Sequence, residues 1–211
     1  AMYGAVDLLV VGQFSSAAAV SAVSTGSQIL QSVTTVITGI AMGITVLVGQ
    51  KIGEKHPHEA GMIIGSGIAM FAVIAVILTI LMTCGASSLS ALMQAPEEAF
   101  SETTAYIRIC SAGAVFIIAY NVLGSIFRGI GDSKMPLITV AIACVINIAG
   151  DLLFVAGFHW GAAGAAAATV LAQAVSVLLS FLIIRKRALP FTMKRTDLRF
   201  NLPVIGKILK L

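Results

Sequence analysis

The chain has 211 residues, of which 58% are hydrophobic and only 10% charged, with a formal net charge of +4 and a mean hydropathy of +1.02. Soluble domains carry about 25% charge, so this composition excludes an ordinary soluble domain and points to a polytopic membrane protein embedded in a lipid bilayer. The small positive balance gives a nucleic-acid role no support, because the basic residues are distributed as a topology signal.

Runs without any Asp, Glu, Lys or Arg cover 8–50, 60–96, 109–127, 135–150 and 152–184. A helix needs about 20 apolar residues to cross the hydrocarbon core. The pattern therefore predicts an all-α bundle of six transmembrane helices, near 1–13, 18–50, 60–84, 103–127, 136–157 and 161–184. The first is short: at helical rise it reaches about 18 Å against a core of roughly 30 Å. It reads as the remainder of a helix whose start is missing. At the other end LPVIGKILKL reads as the approach to a further membrane segment. Residues 1–187 are thus expected to form one transmembrane lobe, with 188–211 a basic linker beyond it.

Helix two carries Ser21, Thr25, Gln28, Ser32 and Thr35 at spacings of four, three, four and three, which is one helical face. Such a stripe lines a water-filled cleft or packs against a neighbouring helix. Gln28 favours the cleft, because a large amide needs partners that lipid does not supply. Gln173, one turn beyond Thr169 on helix six, is an analogous candidate. The glycine pairs Gly39–Gly43, Gly61–Gly65 and Gly157–Gly161 fit the small-xxx-small spacing of close helix packing in lipid.

Twelve of the 13 basic residues fall after helices two, four and six: Lys51, Lys55, Arg128, Lys134, Arg185, Lys186, Arg187, Lys194, Arg195, Arg199, Lys207 and Lys210. Glu97, Glu98 and Glu102 lie on the opposite side. The positive-inside rule then puts the basic side and the C-terminus in the cytoplasm of a multi-pass cell-membrane protein. The three cysteines, Cys84, Cys110 and Cys144, fall in or beside apolar spans and read as packing residues. His56 and His58 sit in a charged loop, where solvated histidines are expected rather than a metal site.

Two acidic residues interrupt apolar spans: Asp7 in AVDLLVVGQ and Asp151 in INIAGDLLFVAGF. A carboxylate at the bilayer centre costs about 2.5–3.5 kcal/mol on insertion scales, so each marks a functional pocket by default. Counted from the outer ends of their helices, Asp7 and Asp151 lie about 9 Å deep and Thr169 about 12 Å deep. Asn147 is one turn from Asp151 on the same face. Two carboxylates, an amide and a hydroxyl in one layer suit a sodium ion or a proton. The plainer alternative is that Asp151 caps a packing network with Asn147 and never titrates.

No enzyme constellation is present: there is no spanning histidine, no His-Glu-x-x-His, and RGIGDSK at 128–134 lacks the phosphate-loop spacing. That segment reads as a tight cytoplasmic turn, and no cofactor is expected.

Four segments together resemble the multidrug and toxic compound extrusion (MATE) family of cation-coupled exporters. They are AVDLLVVGQF, GQKIGEKHPHEA, YNVLGSIFRGIGDSKMP and NIAGDLLFVAGFHWGAAGAAAATVLAQ. The resemblance implies one lobe of a two-lobed, twelve-helix antiporter, with the second lobe of the same polypeptide absent from this chain. It implies coupling to sodium or protons, alternating access and a small drug-like substrate. It also implies a cation site at Asp7, Asn147, Asp151 and Thr169, with Thr25, Gln28, Ser32 and Gln173 as candidate cleft lining. The alternatives are a lipid-linked saccharide flippase, for which Arg108 is the lone candidate cavity cation, and a non-transporting membrane scaffold lobe.

Overall fold

The computed structural model describes residues 2–186, 189–191 and 195–210. The predicted helix start at residue 1, and Arg187 and Lys194 of the basic tail, lie outside the described residues. Helix α1 (Met2–Phe14), α2 (Ala17–Gly53), α3 (Pro57–Leu92), α4 (Glu97–Ala112), α5 (Ala114–Gly129), α6 (Lys134–Asp151), α7 (Gly161–Lys186) and α8 (Leu202–Leu209) follow in chain order. Among the described residues four helices are long and apolar enough to cross a membrane, five if the bent pair α4–α5 counts as one span, and Gly4–Phe14 is a shorter apolar helix, against the six spans expected. This is the all-α membrane bundle that the composition predicts.

The ends of the helices have local causes. Ser16 is extended and its hydroxyl accepts from the Ala19 amide at 3.1 Å, starting α2. Between α2 and α3, Lys51 Nζ lies 2.7 Å from Glu54 and 3.0 Å from Glu59. These groups are largely exposed, so they set the turn more than they stabilise it. Asp132 Oδ1 accepts from the amides of Lys134 and Met135, at 3.2 and 3.1 Å, and Gly131 takes φ +81°. RGIGDSK is thus the tight turn that its sequence predicts.

Three predicted boundaries move. Helix three runs to Leu92, past the predicted end at 84, because Ser90 satisfies its hydroxyl on the Ala86 carbonyl at 3.0 Å and meets Thr104 at 3.1 Å. The following helix starts at Glu97 rather than 103, with Glu97 and Glu98 in its first turn, where carboxylates suit the helix dipole. The single helix predicted over 103–127 is two, bent by 55° at Gly113. A Cβ on Gly113 would overlap both γ carbons of Val170. The missing side chain lets α7 press into the bend.

The tail differs most. Rather than leaving the lobe, α8 folds back, burying Ile205 and Ile208 among Ile37, Ile44, Ile64 and Phe71 of α2 and α3. A Cβ on Gly43 would meet the Ile208 carbonyl, and one on Gly65 the Asp197 carbonyl, while Gly39 faces open space. Gly43 thus makes a close helix–helix contact with α8, as the small-residue spacing suggests, while Gly65 seats the turn at Asp197 that precedes α8.

Gly43→Val is therefore expected to lift α8, since overpacking a close backbone contact costs about 1–3 kcal/mol. Tryptic cleavage at Arg199 and Lys207 should accelerate relative to the parent chain, with helical circular dichroism unchanged.

Candidate functional site

Helices α1, α6 and α7 converge on one layer of polar side chains. Asp7 comes from α1, Asn147 and Asp151 from α6, and Thr169 from α7; all are buried, with exposures of 1%, 0%, 0% and 6%. The Asn147 amide nitrogen donates to Asp7 Oδ1 at 3.0 Å and reaches Thr169 Oγ1 at 3.3 Å. The Thr169 hydroxyl donates to Asp7 Oδ2 at 3.0 Å. Each oxygen of Asp7 thus has a neutral donor from a different helix.

The backbone explains why they meet. Gly150 stands beside Asp151, and a Cβ there would come within 2.9 Å of the Ala168 Cβ. Glycine and alanine let α6 and α7 close together at the level where Asn147 and Thr169 face each other. Immediately after Asp151 the helix widens into a π turn over Leu152–Gly157, with the Phe158 amide bonded to the Leu153 carbonyl at 3.0 Å. Such turns change the facing of the residues around them and recur at functional sites. The turn into α7 is closed by Phe154 stacked on Trp160, at 5.3 Å between ring centres.

The donor count is incomplete. Both oxygens of Asp151 and Oδ1 of Asn147 are buried without a hydrogen-bond partner. Asp151 and Asp7 lie close enough to interact as a carboxyl pair. Two carboxylate groups offer each other acceptors only, so a direct bond between them requires a proton on one. Three unpaired oxygens beside a second carboxylate form a pocket that lacks positive charge.

Sequence reasoning did not single out Tyr106, and it read Cys110, one turn further along α4, as a packing residue, which is how it is buried here. Both are buried in one cluster with Val11, Val155 and Ala165. No spacing in the chain relates them to Asp7. The one available signal was Gly26, whose bare face takes the Tyr106 ring.

The candidate cleft residues separate into two groups. Thr25 is half-buried, while Gln28 and Ser32 are exposed on the lobe surface, and the Ser32 hydroxyl bonds back to the Gln28 carbonyl at 2.9 Å. Gln173 instead lies inside the bundle, 7% exposed, with its carbonyl oxygen unpartnered. Arg108 is exposed.

Comparison with known proteins is consistent across sequence and structure. The MatE family model matches residues 1–153. The chain is 29% identical over 203 residues to "Probable multidrug resistance protein YpnP" of Bacillus subtilis, covering 90% of this chain and 43% of that one. It is 25% identical over 213 residues to "Multidrug export protein MepA" of Staphylococcus saprophyticus, covering 99% and 46%. A solved structure described as MATE in the bent conformation superposes with a TM-score of 0.92 at 24% identity, covering 99% of this chain and 47% of that one. The chain spans less than half the length of each.

Thr169→Val removes one donor to Asp7 while keeping the side chain's shape. It should destabilise the chain by about 1–3 kcal/mol, the cost of leaving a buried acceptor short of a bond. The check is a lower melting temperature in detergent, restored by Thr169→Ser.

Proposed function

The chain belongs to the MatE family, and on that footing we propose that it forms one lobe of a two-lobed, cation-coupled multidrug antiporter. A second lobe would face it and complete a central cleft. The observation that carries this reading is the acceptor-rich pocket, in which Asp151 and Asn147 present buried oxygens without donors beside Asp7. A purely structural network would have filled those positions with donors, since an unpaired buried polar group is costly.

In this reading sodium or a proton enters the pocket and neutralises the Asp7/Asp151 pair. Asp7 is oriented by Asn147 and Thr169, while Asp151 supplies the oxygens left free for the ion. Binding the cation changes the balance between two lobe arrangements only if they bind it differently. The π turn after Asp151 and the bend at Gly113 are the irregular points at which such arrangements can differ. The exposed polar stripe of α2, with Gln28 and Ser32, would then face substrate in the cleft between lobes. Orientation follows from charge: the basic ends of α2, α5 and α7 lie in the cytoplasm and the Glu97/Glu98 turn outside. The substrate is a small drug-like organic compound, as the names of the relatives suggest for those proteins.

The test is Asp151→Asn in the complete protein, reconstituted with sodium and pH gradients imposed separately. Insertion should be unchanged, and coupled efflux should fall about tenfold or more, as when about 1.4 kcal/mol of differential ion binding is lost. Efflux at the parent rate by a well-inserted variant would overturn the assignment.

A further inference from the structure

Below the pocket the α6–α7 seam stays polar, although both helices are apolar enough to cross a membrane. On α7, Thr169, Gln173, Ser176 and Ser180 recur at spacings of four, three and four, which is one helical face. All four are buried, at 6%, 7%, 0% and 3% exposure. On α6, Asp151, Asn147, Ala143 and Thr139 form the matching face at intervals of four, each 5% exposed or less. The two faces meet: the Ser176 hydroxyl donates to the Thr139 carbonyl at 3.2 Å, as Asn147 meets Thr169 higher up. From Thr169 to Ser180 the row descends about 17 Å at helical rise, more than half the hydrocarbon core.

Packing alone does not account for this row. Small apolar residues would bring α6 and α7 equally close, as Ala143, Ala168 and Ala172 already do, each fully buried. Gln173 is a large amide whose carbonyl oxygen is buried and has no partner. It lies one helical turn from Thr169, which meets Asn147, and the oxygens of Asn147 and Asp151 are unpartnered too. Buried polar atoms without protein partners are the places where internal water binds, given two to four polar neighbours. Successive rungs are four to six ångströms apart along the helix at about 1.5 Å per residue, a spacing that direct hydrogen bonds and single bridging waters can span. Toward its basic end the row runs into an apolar cluster made by Leu123 and Phe127 of α5, Met135 of α6 and Val177 of α7, next to Ser176, with Ile183 and Ile184 packed against it. Beyond that cluster, Lys134 and Arg185 are exposed at the basic end of the two helices.

We propose that the α6–α7 seam is a hydrated proton path linking the Asp7/Asp151 pocket to the basic end of the lobe, with the Phe127–Met135–Val177 cluster as its gate. This rests on the reading of the pocket as a cation site, and it adds a route separate from the central cleft. The path carries protons rather than sodium. Hydroxyl, amide and single waters relay a proton along hydrogen bonds, whereas a sodium ion needs several oxygen ligands at once. Each rung here offers one or two.

Two measurements in the complete transporter test it. The first uses a background free of Cys84, Cys110 and Cys144, with Ser176→Cys, Ser180→Cys or Leu178→Cys introduced singly. Leu178 is 59% exposed on the outer surface of α7 at the same depth. Silver ion, small enough for a narrow aqueous path, is applied from the basic side. Positions 176 and 180 should react about tenfold faster than 178, because a thiol ionises in contact with water and not in hydrocarbon. Phe127→Ala should raise their rates further. Equal, slow reaction at all three positions would overturn the path.

The second measurement is efflux by the Ser176→Ala/Ser180→Ala double variant. Losing two rungs leaves an apolar gap that stays dry, so proton-driven efflux should fall about tenfold while equilibrium drug binding is unchanged. Efflux at the parent rate under a proton gradient would remove the path and leave the pocket untouched. Loss of the pocket itself is read separately, from Asp151→Asn.

Discussion

A carboxylate held away from water must be given donors, a cation or a proton, and the convergence of α1, α6 and α7 follows from that requirement. Asp7 receives a donor on each oxygen, one from Asn147 and one from Thr169. Three helices are tied together through a side chain that none of them could bury alone. Asp151 receives no donor from the protein. The two aspartates are therefore unequal: Asp7 ties three helices together, while the oxygens of Asp151 are left without donors. In the proposed antiporter that inequality is the source of coupling, because the site is stable as a scaffold and unsatisfied as a ligand set.

Close approach of backbones makes this convergence geometrically feasible. Gly150 against Ala168 sets the α6–α7 distance at the level of the pocket, and Gly113 against Val170 lets α7 enter the bend between α4 and α5. Lipid offers no hydrophobic drive between helices, so shape and hydrogen bonds decide the arrangement. The same logic seats the tail: Gly43 and Gly65 give up their side chains to the backbone of residues 197–208. Gly113 and Gly150 thus hold α7 beside the pocket, while Gly43 and Gly65 hold the tail across α2 and α3.

Much of the architecture was legible in residue order because a bilayer imposes a length and a polarity on every span. Charge-free runs located the spans, the basic residues separated one side from the other, and the depth of Asp7, Asp151, Asn147 and Thr169 followed from counting helical rise. What escaped were features set by contact. Nothing local marks Gly113 as a bend rather than an ordinary helix glycine, since its role lies in the Val170 side chain more than fifty residues away. The π turn after Asp151 leaves no hydrophobic signature. Tyr106 looks like an interior residue of any span. Gln173 was grouped with the stripe on α2 by residue type, yet it lies buried while Gln28 and Ser32 are exposed, because the two helices turn different faces to the bundle.

The sequence by itself determined that the chain spans a membrane as helices, which ends carry the positive charge, and that two carboxylates sit at one depth. These depend on composition and on rise per residue, both of which are local and additive. Only the tertiary structure decided which oxygens of those carboxylates are satisfied, that Ser176 meets Thr139 across the seam, and that the tail returns to the bundle. Each of these depends on the rotation of one helix against another. That rotation is set by side-chain shape summed over whole interfaces, and no single stretch of sequence records it.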